Sequence, residues 1–328
     1  MCEKHPKWRN GKRSSNYKSL INIHRSKGGL HINNDDFPDI QNMVSKRHFL
    51  LTRVGITGLK KPTVVERDGR RINLIPTFDV YVDLPAYQKG SHMSRNAEVI
   101  NKIVDMSVRT PVKSLEELAS KIVVELLATH EYASFTQVDL SSDYFLEKTS
   151  PLGRKSLENY KIKASARKAR DGPLKKILGV EVVGMTVCPC AMEITREMVS
   201  SMYPDDKETI SKMPMLTHNQ RNISSIELEI PPEAVVEADD LVDIIESSQS
   251  SPTFEILKRS DEGKVVLNAH KNPKFVEDVV RDILYYLLER YPDMPGSAKV
   301  KVKSISEESI HKHNAIAERV TTFEELKK

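Results

Sequence analysis

The feature that most constrains the fold is an order of secondary-structure elements that occurs twice. In the first half, the clearest strand signal runs from Leu74 to Leu84, where Phe78, Val80, Val82 and Leu84 alternate with polar residues. Alternation at every second position indicates a half-buried strand. The other predicted elements of this half give the order ββααββ: a strand over 49–57, helices over 94–108 and from Leu115, and extended segments near 132–140 and 160–166.

Both helices of the first half have an apolar side. The first carries Val99, Ile103 and Met106 on one face. Ser114 and Glu117 open the second helix with the spacing of a capping box, which satisfies free backbone N–H groups at a helix start. The buried face predicted for this second helix consists of Leu115, Leu118, Ile122 and Leu126.

The second half repeats the same order of elements. An inserted stretch over 191–216 has helical composition and interrupts the repeat. The remaining predicted elements are strands over 180–187 and 222–230, a short helix over 241–248, a long helix capped by Asn272 and Pro273, a strand over 298–303 and an extended piece after His313.

Two ββααββ units predict an α+β fold with two antiparallel sheets, each carrying helices on one face. We place the first unit at residues 36–172 and the second at residues 173–328, with the helical insertion at about 191–216. A four-stranded sheet covered on one face leaves exposed edges, and pairing of edges between copies of the chain is the simplest way to cover them. The pattern therefore predicts a homo-oligomer.

Composition narrows the class of protein. The 328 residues are 39% hydrophobic and 29% charged, and they include only three cysteines, so a disulfide framework is not expected. No stretch approaches the roughly 18 consecutive apolar residues of a membrane span, and no apolar secretory core is visible at the N-terminus. We therefore expect a cytoplasmic protein that does not bind membranes.

Residues 1–35 form a basic segment that we predict to be disordered. Between Met1 and His31 there are eight lysines and arginines against one acid, Glu3. The alternative is a nucleic-acid-binding arm, for which Trp8 and Tyr17 are the only aromatic support. Because the rest of the chain is slightly acidic, we expect no nucleic-acid partner.

Two clusters of metal-ligand residues stand out in this cysteine-poor chain: Cys188-Pro189-Cys190 and His218-Asn219-Gln220-Arg221. Thiolate and imidazole suit iron or zinc and do not suit magnesium or calcium. A carboxylate at Glu262 and one histidine of the His311-Lys312-His313 triplet would complete three or four ligands. Taken singly, Cys188 could equally be a buried small hydrophobe and His218 a surface-loop histidine.

Two further segments carry polar groups suited to a nucleotide. Lys89 to Arg95 follows the best strand and opens a helix, so that its glycine, its hydroxyls, the helix N–H groups and the flanking basic side chains form a plausible phosphate site. Glu277 lies beside the buried stripe of the long helix. Its carboxylate could accept two parallel N–H bonds or simply be solvated.

Six motifs occur in order along the chain: KGSHMSR (89–95), CPC (188–190), HNQR (218–221), LKRSDE (257–262), HKNPKFVEDVVRD (270–282) and ESIHKHNA (308–315). Together they resemble the type IB/IV GTP cyclohydrolases, and most closely the archaeal iron-dependent form of methanopterin biosynthesis. The archaeal form is favoured by Ala191-Met192 after CPC, by the long insertion, and by the C-terminal residues 317–326. The resemblance covers roughly Asp39 to the C-terminus.

The resemblance implies the tunnelling fold, in which paired ββααββ units assemble into barrels, as a homodimer or homotetramer with active sites at subunit interfaces. It implies that the metal ligands are Cys188, His218, Glu262 and His311, with Cys190 and His313 as possible support. The metal implied is one Fe(II) per subunit, although the ligand types also allow zinc or manganese. Glu277 is implied to anchor the guanine ring, His92 to border the substrate, and Gln220 and Arg221 to belong to the substrate site; phosphate roles for Lys89 and Arg95 are our own inference.

The function implied is hydrolytic opening of the imidazole ring of GTP, with water activated by the metal attacking C8. The archaeal product is 7,8-dihydroneopterin 2′,3′-cyclic phosphate, released with formate and pyrophosphate. The alternative within the family is the bacterial product, 7,8-dihydroneopterin triphosphate. Two other classes of protein are alternatives. The first is a nitrile reductase of the same fold, which a stoichiometric metal would exclude. The second is a non-catalytic nucleic-acid binder that depends on the basic segment.

Overall fold

A computed structural model of the chain describes residues 38–67, 69–232 and 234–328. The basic segment predicted at residues 1–35 lies outside this part of the chain. Eleven strands are present in the described residues. They are β1 (Leu51–Lys60), β2 (Thr63–Arg67), β3 (Arg70–Leu74), β4 (Thr77–Leu84), β5 (Phe135–Thr149), β6 (Lys155–Ala169), β7 (Leu174–Val187), β8 (Asn219–Ile230), β9 (Ser251–Pro252), β10 (Lys299–Glu307) and β11 (Ala315–Thr322).

The helices connect the strands in the predicted order, apart from α6, which the sequence did not indicate. They are α1 (Met93–Arg109), α2 (Leu115–Thr129), α3 (Pro189–Met202), α4 (Lys207–Lys212), α5 (Ala238–Ser248), α6 (Arg259–Lys271), α7 (Val276–Arg290) and α8 (Phe323–Leu326). Helices α3 and α4, separated by a short 3₁₀ turn at Pro204–Asp206, occupy the predicted helical insertion. The α+β fold, with two ββααββ units of the tunnelling type, is thus confirmed.

Eight of the strands form one antiparallel path, in the order β1-β4-β5-β6-β7-β8-β10-β11. The sequence suggested two sheets, but β6 and β7 pair along eight residues, from Lys161 opposite Glu181 to Lys168 opposite Leu174. This pairing joins the two units edge to edge and leaves β1 and β11 as the outer strands. The short strand β9 pairs with β7, and β2 and β3 form a separate hairpin.

Four helices, α1, α2, α5 and α7, lie on one face of this sheet. Helix α2 packs on β5 and β6, α5 on β7, and α7 on β10 and β11, so that one apolar core runs across both units. The predicted buried side chains Phe78, Val80, Val82 and Leu84 of β4 are 0–4% exposed. Period-2 alternation therefore identified the face of the sheet that the helices cover.

Several predicted details are corrected by the structure. Met106 is 57% exposed, since α2 covers α1 through the side that carries Val99 and Ile103. Asn272 does not cap the long helix: it is the C-cap of α6, a helix that the sequence did not indicate. The N-cap of α7 is Phe275, whose backbone N–H donates to Asp278 Oδ2 at 3.1 Å.

Candidate active site at the end of strand β7

Cys188 lies where β7 gives way to α3. Pro189 cannot donate a ladder hydrogen bond, so the strand ends there, and proline is well suited to the first position of a helix. Cys188 is the N-cap of α3, and its Sγ accepts from the backbone N–H of Ala191 at 3.4 Å. The thiol is partly exposed, whereas Cys190 is exposed. Strand β7 therefore ends at Val187, and α3 begins directly after Cys188.

His218 is a direct neighbour of Cys188. The backbone N–H of Cys188 donates to the carbonyl of His218 at 3.1 Å, and the hydroxyl of Thr217 donates to the carbonyl of Cys188 at 2.8 Å. These bonds continue the β7–β8 ladder by one step beyond Val187 and Asn219. The two predicted ligands thus meet because consecutive antiparallel strands end and begin at the same edge.

The ring of His218 faces a second group from the segment after β10. His218 and His311 have ring centroids 6.2 Å apart in an edge-on arrangement, and His313 stacks on His311 at 5.1 Å. Glu308 Oε2 lies 3.7 Å from His218 Nδ1, and both side chains are only 11% exposed. Nδ1 of His218 is buried without a hydrogen-bond partner, so this nitrogen is available to a ligand or to Glu308. Sequence reasoning gave no role to Glu308.

Glu262 occupies a different position from the other predicted ligands. It lies in the first turn of α6 and is exposed, seven residues before Ala269, which packs with Val187 and Met192. Seven residues span two turns of a helix, so Glu262 lies about 10 Å from Ala269 along the axis of α6. Across residues 38–67, 69–232 and 234–328, no three His, Cys, Asp or Glu side chains are grouped closely enough to hold a metal ion.

The N-terminus of α7 is fixed to the same end of the sheet. The backbone N–H of Lys274 donates to the carbonyl of Val187 at 3.0 Å, and the Asn272 amide donates to the carbonyl of Gln249 at 3.1 Å. Glu277 follows in the first turn of α7 and is exposed. A carboxylate is favourable at a helix N-terminus, and this helix begins two residues after Lys274, whose N–H is bonded to the residue that precedes Cys188.

Gln220 and Arg221 begin β8, immediately after His218. Gln220 is 8% exposed, and its Oε1 is buried without a partner. Arg221 points the other way and is exposed, opposite Glu307 of β10. Because neighbouring residues of a strand face opposite sides, the two predicted substrate residues do not share one face of the sheet.

Residues 89–95 lie elsewhere, between β4 and α1. The backbone N–H groups of Lys89 and Gly90 donate to the carbonyls of Met43 and Gln41 at 2.9 and 3.1 Å. They are therefore not free for phosphate, and the Lys89 side chain is exposed. His92 Nε2 lies 3.2 Å from both carboxylate oxygens of Asp39. Burial alone would raise the pKa of Asp39, but the Asn42 backbone amide and His92 outweigh it, and the pKa is lowered.

One chain carries these groups at opposite edges of its sheet. The loop after β4 and the loop after β7 are separated by three antiparallel pairings, β4–β5, β5–β6 and β6–β7, so the two strands run in opposite directions and end at opposite edges. Their lateral separation alone is about 14 Å at the usual spacing of strands. Residues 89–95 and the Cys188 group of the same chain therefore do not form one site.

Comparison with known proteins identifies the family. The family described as Type I GTP cyclohydrolase folE2 matches residues 37–317. The GTP cyclohydrolase MptA of Methanothermobacter thermautotrophicus is 46% identical over 302 residues, which are 89% of this chain and 95% of that protein. GTP cyclohydrolase MptA 1 of Methanocella arvoryzae is 44% identical over 89% of this chain and 95% of its own length. The chain belongs to the type I GTP cyclohydrolase family.

Solved structures of similar shape are more distant. The uricase of Arthrobacter globiformis aligns with a TM-score of 0.47 and 9% identity over 82% of this chain and 93% of its own. The urate oxidase of Bacillus sp. TB-90 aligns with a TM-score of 0.46 and 11% identity over 83% of this chain and 99% of its own. Among residues 38–67, 69–232 and 234–328, none of the helices combines the length and the hydropathy that a membrane-spanning helix requires.

Proposed function

We propose that the protein opens the guanine imidazole ring of GTP and releases 7,8-dihydroneopterin 2′,3′-cyclic phosphate, formate and pyrophosphate. One water enters, C8 leaves as formate, and the ribose carbons close the dihydropterin ring. The 2′-hydroxyl of the pterin's own carbon side chain then attacks the α-phosphorus, closes the 2′,3′-cyclic phosphate and displaces pyrophosphate. The observation that carries the proposal is the match of 46% identity over nearly the whole chain to a GTP cyclohydrolase MptA.

The product test is incubation of the protein with GTP and Fe(II) under anaerobic conditions, followed by mass spectrometry. We expect the cyclic phosphate and one equivalent each of formate and pyrophosphate. Accumulation of the dihydroneopterin triphosphate without pyrophosphate would assign the bacterial reaction instead. An unchanged GTP pool in the presence of stoichiometric metal would overturn the proposal altogether.

The active site of this proposal is shared between subunits. One chain presents Cys188, His218 and Glu277 at one edge of its sheet and His92 and Arg95 at the opposite edge, so GTP can touch both sets only where two chains meet. Exposure of Glu277, His311 and Lys89 in the single chain is consistent with surfaces that a partner covers. We propose a homodimer or homotetramer with the sites at its interfaces, working in the cytoplasm, where GTP is made.

The types of donor near Cys188, a thiolate, imidazoles and a carboxylate, suit one divalent transition metal ion per subunit, and we propose Fe(II), which would have to draw together side chains that are not grouped around one point in the described part of the single chain. Cys188 and His218 are bonded neighbours, His218 faces His311, and a buried imidazole nitrogen lacks a partner; Glu262 would supply the carboxylate from α6. When bound, the metal would act as a Lewis acid and lower the pKa of a water molecule. Cys190 and His313 flank the ligands without being required by the set.

We predict that Cys188→Ala removes the metal and lowers turnover of GTP at least roughly a hundredfold, because loss of a residue that only supports a metal ligand already costs about 10- to 100-fold. Cys190→Ala is the matched control: it changes an exposed thiol two residues away and should retain metal and activity. Metal content by atomic emission and initial rates are measured on both. Normal turnover in Cys188→Ala, or equal losses in both variants, would contradict the assignment.

The identity of the metal has its own test. Protein purified in air should be poorly active with GTP and should regain activity with ferrous iron and a reductant, because Fe(II) oxidises readily. Reconstitution with zinc or manganese in parallel samples provides the comparison. Full activity of an iron-free, zinc-loaded sample would refute iron while leaving the reaction intact.

A further inference from the structure

A buried histidine in the first unit is hydrogen-bonded on both ring nitrogens. His130 follows α2 and is 0% exposed. Its Nε2 lies 2.7 Å from Asn96 Oδ1 of α1, and its Nδ1 lies 3.0 Å from the hydroxyl of Tyr132. Burial, together with the charges of Arg95 and His92, lowers the pKa of His130 to about 4. The ring is therefore neutral at physiological pH and has one donor and one acceptor.

The directions of these bonds follow from chemistry. The Asn96 amide oxygen can only accept, so His130 Nε2 carries the proton and Nδ1 accepts from the Tyr132 hydroxyl. The Tyr132 oxygen is then left as an acceptor, and the Ser91 hydroxyl lies 2.7 Å away as its donor. The backbone N–H of His92 also interacts with this oxygen. The chain of bonds thus runs from Ser91 through Tyr132 and His130 to Asn96.

This network ends on the loop that begins α1. Ser91 is 6% exposed, and its hydroxyl is directed inward to Tyr132. It is therefore not one of the phosphate donors that the sequence suggested. His92 is held twice, at its backbone by Tyr132 and at its ring by Asp39, and Arg95 follows one helical turn later. The groups that can face a ligand are the His92 ring, the Arg95 guanidinium and the first free N–H groups of α1.

We propose that Tyr132, oriented by its hydrogen bond to His130, is a positioning residue of the substrate site: it fixes Ser91 and the His92 backbone so that His92 and Arg95 meet GTP in one geometry. The inference rests on the proposed function. Displacing His92 and Arg95 would weaken their contacts with GTP, so the loss should appear mainly in KM, and a misplacement of about 1 Å can cost about a hundredfold. Tyr132 does not itself touch the substrate.

The test is Tyr132→Phe in the full-length, metal-loaded protein. We expect kcat/KM for GTP to fall roughly ten- to a hundredfold, with most of the loss in KM and with metal content unchanged. Hydrogen exchange of the peptide containing residues 89–95 should become faster. Tyr144→Phe is the matched control, because Tyr144 of β5 is also buried and also donates its hydroxyl to a partner, Asp239 of α5, but it makes no hydrogen bond to residues 89–95; it should leave KM and this peptide unchanged.

A double-mutant cycle separates positioning from general destabilisation. If Tyr132 acts through Ser91, then Tyr132→Phe combined with Ser91→Ala should be little worse in KM than Tyr132→Phe alone. Fully additive effects, or equal losses in Tyr132→Phe and Tyr144→Phe, would overturn the inference. If the wild-type protein does not turn over GTP, the proposed function fails. The exchange measurement then still decides, because equal exchange of residues 89–95 in wild type and Tyr132→Phe would refute the positioning role itself.

Discussion

Glu277 is the residue on which recognition of the base depends in our proposal. Its backbone is held rigidly, because Lys274 is bonded to the carbonyl of Val187 and the helix begins at Val276. A carboxylate there can accept from N1–H and the amino group of guanine together, while adenine offers no such donor pair. We predict that Glu277→Gln lowers kcat/KM for GTP at least roughly tenfold and leaves the metal content unchanged.

The measurement is steady-state kinetics with GTP and ATP, alongside metal analysis. Asp278→Asn provides a control on the same helix turn, because Asp278 caps the backbone of Phe275 and has no assigned contact with the base. That change should lower the melting temperature, because it removes a helix cap, and it should leave kcat/KM for GTP close to the wild-type value. Normal GTP turnover by Glu277→Gln, or loss of its metal, would remove the guanine-anchor role.

Residue identity predicted part of the site and missed part of it. Cys188 and His218 could be paired from their motifs, and the structure bonds their backbones directly. Glu308 and Tyr132 gave no signal, because their importance comes from burial and from partners distant in sequence. An isolated glutamate such as Glu308 is usually solvated. Only the fold shows that the Glu308 side chain is 11% exposed and faces His218.

At the scale of elements, strong periodicity was predictive and weak periodicity was not. Helix α2 was found from its cap and stripe: the Ser114 hydroxyl accepts from the Glu117 N–H at 3.2 Å, and Leu118, Ile122 and Leu126 are 0% exposed. Helix α6 was missed because its only buried residues are Asp261, Val265 and Ala269. A helix attached through a buried aspartate and an alanine has too small an apolar stripe to be recognised.

Asp261 is the anchor of α6 and hence of Glu262. It is 0% exposed, and it accepts from the Ser150 hydroxyl at 2.8 Å, the Leu152 N–H at 3.2 Å and Arg154 Nε at 2.9 Å. Desolvation alone would raise the pKa of Asp261, but these donors lower it. A lowered folded-state pKa means that the stabilisation is present above the unfolded value of about 4 and is lost as pH falls through the folded pKa.

We predict that Asp261→Asn lowers the melting temperature at pH 7 and that the difference from wild type shrinks below about pH 4. Thermal unfolding followed by circular dichroism from pH 3 to pH 8 measures it. Asp143→Asn, a change of an exposed carboxylate on β5, is the control and should show no comparable pH-dependent difference. A constant difference across the range would mean that the carboxylate charge is not what secures the helix.

The chain's repeated ββααββ order could be predicted from its sequence, but the edge-to-edge pairing that joins the two units into one sheet could not. The β6–β7 pairing that makes one sheet involves strands with many charged residues on the open face, such as Lys163 opposite Gly179. Period-2 alternation reports which side is buried and says nothing about which strand lies alongside. For the same reason, the alternation could not show that the two sets of site residues lie at opposite edges of the sheet.

The outer strands β1 and β11 are the parts of the sheet through which we expect two chains to pair. β11 presents Ile316 and Val320, 59% and 62% exposed, and β1 presents Leu51, 48% exposed. An uncovered edge with apolar side chains favours pairing with another chain, and lysine on an edge opposes it. We expect Ile316→Lys combined with Val320→Lys to lower the mass measured by light scattering and to abolish GTP turnover, because the two halves of the site no longer meet.

Leu157→Lys, at a residue 62% exposed on the interior strand β6, should keep both mass and activity. A double variant that becomes monomeric and remains fully active would show that one chain suffices and would refute the shared site.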